Sequence, residues 1–485
     1  MRKMLRTLGL ALLALVAVLL FNTLRLKSRQ LDAAPAAPVL ALAPDSALAR
    51  LAGALRIPTV STTDFAQTDT VQFGRFVAYL RRSFPGVHRQ LRLEKFNQYG
   101  LLYTWTGRSA ALKPALLLGH YDVVPVLPGT ETKWTRPPFA GEQAGGFLYG
   151  RGTLDDKGSV LAQLEAVEYL LKTGFRPART VLLAFGQDEE TLGRRGAGAM
   201  AAALARRGVQ ADFVLDEGGV VKTDGVAGLK KAVALVGISE KGYLTLELKA
   251  TGAGGHSAMP PAQTSIGALA AAVVRLEQNP FPARLEGGDD HLLDYLAAEV
   301  PLGQRLVFSN RWLFGPIIKR ILAATPAGNA TLRTTTAPTI FRAGAKENVL
   351  AIEATATVNF RLLPGDSVAG VVREVRRIIA DNDIRIKILG QPTAPSPVSD
   401  PAAPAFQLLH RTIRSVFPAA IVAPYVVTGA TDARQYVALS PNIYRFSPTP
   451  INQAGIESIH GSNERLAVAD YPVMVRFYAA LLRGI

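Results

Sequence analysis

The residues with chemistry to offer fall into a few short clusters: His120-Tyr121-Asp122, Asp155-Asp156, Asp188-Glu189-Glu190, Asp216-Glu217, Gly255-His256-Ser257 and His460-Gly461-Ser462-Asn463-Glu464. The chain has no cysteine, which excludes disulfides, thiolate metal sites and cysteine nucleophiles. Any metal must therefore use imidazoles and carboxylates, and a two-metal hydrolytic site of that kind typically shares a bridging carboxylate.

Taken singly, each cluster also has a plainer reading. His120 and Asp122, two apart at a strand end, share a side, so Asp122 can clamp the imidazole; packing alone also produces such pairs. The turn Gly150-Arg151-Gly152-Thr153-Leu154-Asp155-Asp156-Lys157-Gly158 suggests a phosphate loop, but Lys157 precedes Gly158 and the Asp pair would repel phosphate. A helix N-cap is the alternative there. Three consecutive acids at 188–190 follow an apolar run and are costly to desolvate unless cations meet them. One of the adjacent glutamates can ligate while the other acts as a general base. His88, His291 and His410 read as packed or solvated rings. No Gly-x-Ser-x-Gly elbow occurs, which removes a serine hydrolase.

The elements that must position these residues read as α/β. Apolar runs Ala115–Leu118, Val181–Phe185 and Phe213–Leu215 each lead directly into candidate ligands, as expected at the carboxyl ends of parallel strands. Residues 157–173 carry apolar positions at helical spacing and form a crossover helix. Near Gly237 the pattern changes: residues 243–249 alternate like a half-exposed antiparallel strand, and 354–359 do so less cleanly. The expectation is a catalytic domain in two parts, 46–237 and 391–485, with an α+β domain inserted at 238–390.

Residues 8–24 are apolar apart from Gly9, Asn22 and Thr23, with three basic residues on each flank. No small-x-small cleavage site follows closely, so residues 1–30 are expected to be a retained membrane anchor rather than a cleaved signal. The charge tie leaves orientation open. An Ala/Pro linker is expected at 31–45. The net charge of +16 includes six basic residues within 1–30. The remainder is scattered without interleaved aromatics, so nucleic-acid binding is not expected.

Together the motifs resemble the dinuclear-zinc aminoacylase/carboxypeptidase metallopeptidase family, over about residues 50–480. They are Gly119-His-Tyr-Asp-Val-Val-Pro125, Gly150-Arg-Gly-x-x-Asp-Asp-Lys-Gly158, Asp188-Glu-Glu190, Asp216-Glu-Gly218, Gly255-His-Ser257 and His460. The carboxypeptidase S and N-fatty-acyl-amino-acid hydrolase branch is closest in look, through the N-terminal segment, Leu102-Tyr103-Thr104-Trp105 and Gly429-Ala-Thr-Asp-Ala-Arg434.

The resemblance implies a zinc-peptidase-like catalytic domain, a mainly parallel sheet sandwiched by helices, with an inserted lid or dimerisation domain. It implies two zinc ions per chain, one on His120, Asp155 and Asp216, the other on Asp155, Glu190 and His460. Asp122 would orient His120, Glu189 would be the general base, and His256 would polarise the scissile carbonyl. Arg361 would bind a substrate carboxylate and Asn348 would contact substrate. It further implies a cis Asp155-Asp156 bond. In dimeric relatives the equivalent of His256 comes from the partner subunit, so a homodimer is an open alternative.

The expected activity is hydrolysis of the amide bond of N-acyl amino acids or short peptides, by an enzyme anchored by one span and acting outside the cytoplasm. The alternatives are a Gly-Xaa type carboxypeptidase and, more remotely, a non-catalytic zinc-binding module tethered to the membrane. Residues 306–322 are apolar on more than one face. They are read either as core of the inserted domain or as a lid in which Trp312 meets a long acyl chain.

Overall fold

The computed structural model describes residues 1–32, 35–41, 43–226, 228–285 and 288–485. Residues 33, 34 and 42 of the expected linker lie outside them.

The strands Ala115–His120, Val181–Gly186 and Phe213–Asp216 lie parallel at the centre of a ten-stranded sheet. Their unbroken apolar character follows from cover on both faces. Leu117 and Leu183 enter one core with Val160, Leu164 and Tyr478. Leu116, Leu118, Leu182 and Ala184 enter another with Met200, Leu204 and Tyr436. The two-residue period of a strand makes that division. Helices Lys157–Lys172 and Tyr471–Gly484 pack on the first face, and Ala197–Arg206 on the second. Truncating a fully buried leucine such as Leu117 to alanine costs about 3 kcal/mol.

The margins of the sheet are mixed. Arg92–Phe96 and Gly100–Trp105 form an antiparallel hairpin at one edge. Ile443–Arg445 runs parallel to Phe213–Asp216, and Ile421–Val427 parallel to Val233–Glu240, so the chain returns to this sheet after the insertion.

A second, fully antiparallel sheet has the order Thr335–Ala343, Glu353–Leu362, Gly242–Thr251, Arg385–Thr393. Leu244, Leu246 and Leu248 alternate inward against helices Ser265–Gln278 and Val368–Ile379. Helices Gly288–Leu296, Leu302–Ser309, Arg311–Ala323 and Pro326–Leu332 lie between these strands in sequence. The first two pack toward the main sheet: Tyr295 and Leu296 join its core and Phe308 packs against it.

Residues Arg2–Arg25 form one exposed helix, long and apolar enough to cross a membrane. Contact with the body begins before any linker. Thr23 is buried, Gln30 exchanges two hydrogen bonds of 2.9 Å with the backbone of Val422, and Ala37 and Leu40 are buried.

Candidate metal centre and its cavity

Because the central strands end together, His120, the 188–190 turn and Asp216 share one edge of the sheet. His120 Nε2 lies 2.7 Å from Asp155 Oδ1. His460 Nε2 lies 3.0 Å from Asp155 Oδ2 and 3.1 Å from Glu190 Oε1. Asp155 thus turns one oxygen toward each imidazole. Ligand atoms of His120, Asp155 and Glu190 all fall within 4.8 Å of one another.

Asp216 is buried nearby, but both its oxygens accept backbone hydrogen bonds, from Glu217 at 2.9 Å and Ala433 at 2.6 Å. It stands outside that mutually close set. The Asp155–Asp156 peptide bond is cis, and Gly152 before it adopts φ +92, a conformation that favours glycine.

Asp122 ties the site together. One of its oxygens lies 3.3 Å from His120 Nδ1 and accepts the Glu189 N–H at 3.1 Å. The other accepts the Glu190 N–H at 3.2 Å and the Ser61 hydroxyl at 2.6 Å. His120 Nδ1 is bonded at 3.1 Å to the Asp122 backbone carbonyl, while the carboxylate holds the turn that presents both glutamates.

Charge is concentrated here. Burial pushes the Glu189 and Glu217 carboxyls well above the usual range, and raises Glu190 and Asp216 as well. Hydrogen bonds to Asp155 and Glu190 push His460 up to about 10. Burial would lower His120, but its bonds to Asp122 and Asp155 raise it well above normal.

Asp155, Glu189, Glu190, Glu217 and His460 line a cavity of about 1120 Å³. Val307, Phe308, Ile318 and Leu322 give the same cavity an apolar wall.

The sequence profile described as peptidase family M20/M25/M40 matches residues 116–484. The chain belongs to that family. Probable carboxypeptidase S-like 2 of Dictyostelium discoideum is 41% identical over 483 residues, 98% of this chain and 92% of the relative. N-fatty-acyl-amino acid synthase/hydrolase PM20D1 of Homo sapiens is 43% identical over 440 residues, 90% of this chain and 86% of the relative. Among solved structures, the M20 family metallo-carboxypeptidase Sso-CP2 from Sulfolobus solfataricus has a TM-score of 0.65 at 19% identity, covering 90% of this chain and 98% of that one. The last is a likeness of fold. As an M20 peptidase the chain is a metal-dependent hydrolase.

The donor set of this M20 peptidase fits a divalent cation held by nitrogen and oxygen, as zinc is. Burial disfavours the charged forms of Glu189, Glu190, Asp216 and Glu217, and the bonds of His460 to Asp155 and Glu190 favour its charged form, which a ligating imidazole must give up. Bound cations would relieve both conditions.

Six expected site residues do not line the cavity: His120, Asp122 and Asp216, which are buried, and His256, Asn348 and Arg361. His256 is exposed on the short strand Gly255–His256, which pairs with Val349–Leu350. Exposed Asn348 sits beside it, its carbonyl accepting the Ser257 N–H at 3.2 Å. Arg361 stacks its guanidinium 4.9 Å from the Tyr243 ring centroid; burial, and then the nearby Arg434, lower its pKa.

Trp312 corrects an expectation. It is 62% exposed and is neither core nor cavity wall; Phe308 and Ile318 take the inward positions.

Sequence reading assigned no role to Ser61, Glu217 or Glu464. Glu464 is fully buried, bonds the Arg151 guanidinium at 2.6 Å and accepts the N–H groups of Gly152, Leu154 and Asp155. Its position four residues after His460 was the available signal.

Proposed function

We propose that this M20 peptidase hydrolyses the amide bond of N-acyl amino acids, with two zinc ions per chain held by His120, Asp155, Glu190, Asp216 and His460. The observation that carries the reading is a single cavity lined both by Asp155, Glu189, Glu190 and His460 and by Val307, Phe308, Ile318 and Leu322. An acyl chain gains about 0.8 kcal/mol per methylene buried in such a space. The relative named N-fatty-acyl-amino acid synthase/hydrolase supports the same choice.

Bound zinc would supply Lewis-acid polarisation at the scissile carbonyl. The remaining work falls to side chains. Glu189 takes a proton from the attacking water and delivers it to the amide nitrogen as the C–N bond breaks, a task suited to a carboxyl whose proton affinity burial has raised. Asp122 holds Glu189, Glu190 and His120 in register. Arg361 grips the carboxylate of the amino acid with its paired N–H donors, Asn348 contacts the substrate, and His256 stabilises charge on the carbonyl oxygen. In this reading His256, exposed on its strand, serves a second copy of the chain in a homodimer. The helix Arg2–Arg25 is a retained single-pass anchor, with the catalytic part outside the cytoplasm.

Zinc-loaded protein given N-acetyl amino acids, N-fatty-acyl amino acids and dipeptides tests the reading by the amino acid released. Fastest release from the fatty-acyl series is expected. Faster cleavage of dipeptides would make the enzyme a Gly-Xaa type carboxypeptidase, and no release from any would leave a zinc-binding module.

A further inference from the structure

Helices Leu302–Ser309 and Arg311–Ala323, which contribute apolar side chains to the cavity, also meet the N-terminal helix. Asn22 Nδ2 donates to Asn310 Oδ1 at 2.8 Å, the hydroxyls of Thr23 and Ser309 meet at 3.1 Å, and Asn310 Nδ2 donates to the Leu19 carbonyl at 3.2 Å. Asn310 is fully buried at this junction. A few residues on, Arg29 pairs with Asp294 at 2.8 Å. The helix is thus fixed to the body rather than hung on a spacer.

Helix Arg311–Ala323 continues from the junction with two apolar faces. Phe308 of the preceding helix, with Ile318 and Leu322, faces the cavity. Leu313, Ile317 and Ile321, at four-residue spacing, form an outer stripe beside Trp312, with exposures of 38, 53, 64 and 62% in that order. Ile321 belongs to both faces, since it also lines the cavity. The cavity therefore opens beside the exposed stripe. Arg320 is exposed on this helix, and Arg25, Lys27 and Arg29 lie where the N-terminal helix meets the body.

We infer that Leu302–Ser309 and Arg311–Ala323 seat in a lipid bilayer next to the N-terminal helix, so that the acyl chain passes between bilayer and cavity at Ile321. Tryptophan, aliphatic residues and adjacent cations are the composition that settles at the lipid–water boundary. The inference rests on the acyl-chain reading above for its substrate, and on the exposed N-terminal helix for its orientation.

The chain has three tryptophans, and Trp105 and Trp134 are buried. Full-length protein reconstituted into phosphatidylcholine/phosphatidylglycerol vesicles carrying 5-doxyl lipid should show tryptophan quenching that disappears in Trp312→Phe. Absence of Trp312 quenching, as when a second copy covers the stripe, would overturn the seating whatever the enzyme cleaves. In the same vesicles Leu313→Glu/Ile317→Glu should keep its rate on water-soluble N-acetyl substrate and lose at least about tenfold in kcat/KM on bilayer-borne fatty-acyl substrate. Equal retention on both would overturn passage through the bilayer. If wild type cleaves no fatty-acyl substrate, the substrate reading fails while the quenching result still decides the seating.

Discussion

Glu464 Oε1 accepts the backbone N–H of Asp155 at 3.2 Å, so the carboxylate shared by the two imidazoles is held in place by a buried acid four residues from His460 itself. Its other oxygen meets Arg151 at 2.6 Å. Removing the acid strands a buried guanidinium, and Glu464→Ala is expected to cost about 3–5 kcal/mol in denaturant unfolding. Glu464→Gln keeps the volume but turns an NH2 group toward existing donors, and should weaken zinc binding by roughly 10–100-fold in chelator competition. Unchanged zinc affinity in a folded Gln variant would free Asp155 from this control.

Glu189 and Glu190 are neighbours with divided tasks. Glu189→Ala should retain two zinc ions per chain by elemental analysis yet lose at least about 100-fold in turnover, the scale of a missing general base. His460→Ala should lose one zinc selectively. Full activity with one zinc or none would remove the dinuclear account.

The central strand ends were readable because Ala115–His120, Val181–Gly186 and Phe213–Asp216 are apolar until the ligands begin, a pattern only strands covered on both faces keep. Burial of isolated acids is not written in local sequence: Glu464 closes the His460 cluster, but nothing local tells that it is buried against Arg151. Residues 302–323 are apolar on two faces, and periodicity cannot say which face is inward; Phe308 rather than Trp312 took that place because the cavity lies on its side. Nor does sequence reveal that Thr23 and Asn310, far apart in the chain, lock the N-terminal helix to these helices.

His256 and the metal cluster can be separated genetically. Neither Glu189→Ala nor His256→Ala should turn over substrate well alone. Mixed after dissociation and reassociation, they should regain activity in hybrid dimers carrying one intact pair. No recovery would place His256 in the cycle of its own chain.

His410 supplies a pH test away from the metal site. Its ring packs with Tyr295 and Phe406, Nε2 accepts the Leu31 N–H at 3.4 Å, and burial, with Arg414 and Arg411 adding, holds its pKa down to about 4. In the unfolded chain the ring titrates near 6.5. Between these values the unfolded state binds the extra proton. The stability contributed by the neutral ring is whole above about pH 6.5 and drains away as pH falls toward 4. Relative to His410→Phe, wild type should lose up to about 3 kcal/mol across that window in unfolding free energy. A difference independent of pH would show that the ring is not buried neutral.

One cavity joins the cleavage chemistry to the space for an apolar chain. The direct measurement is kcat/KM for N-acyl amino acids from acetyl to palmitoyl, in wild type and in Phe308→Asp. Efficiency should rise with chain length in wild type, each buried methylene adding up to about 0.8 kcal/mol, and the rise should flatten in the variant while the acetyl rate stays. A flat or falling profile in wild type would contradict the account.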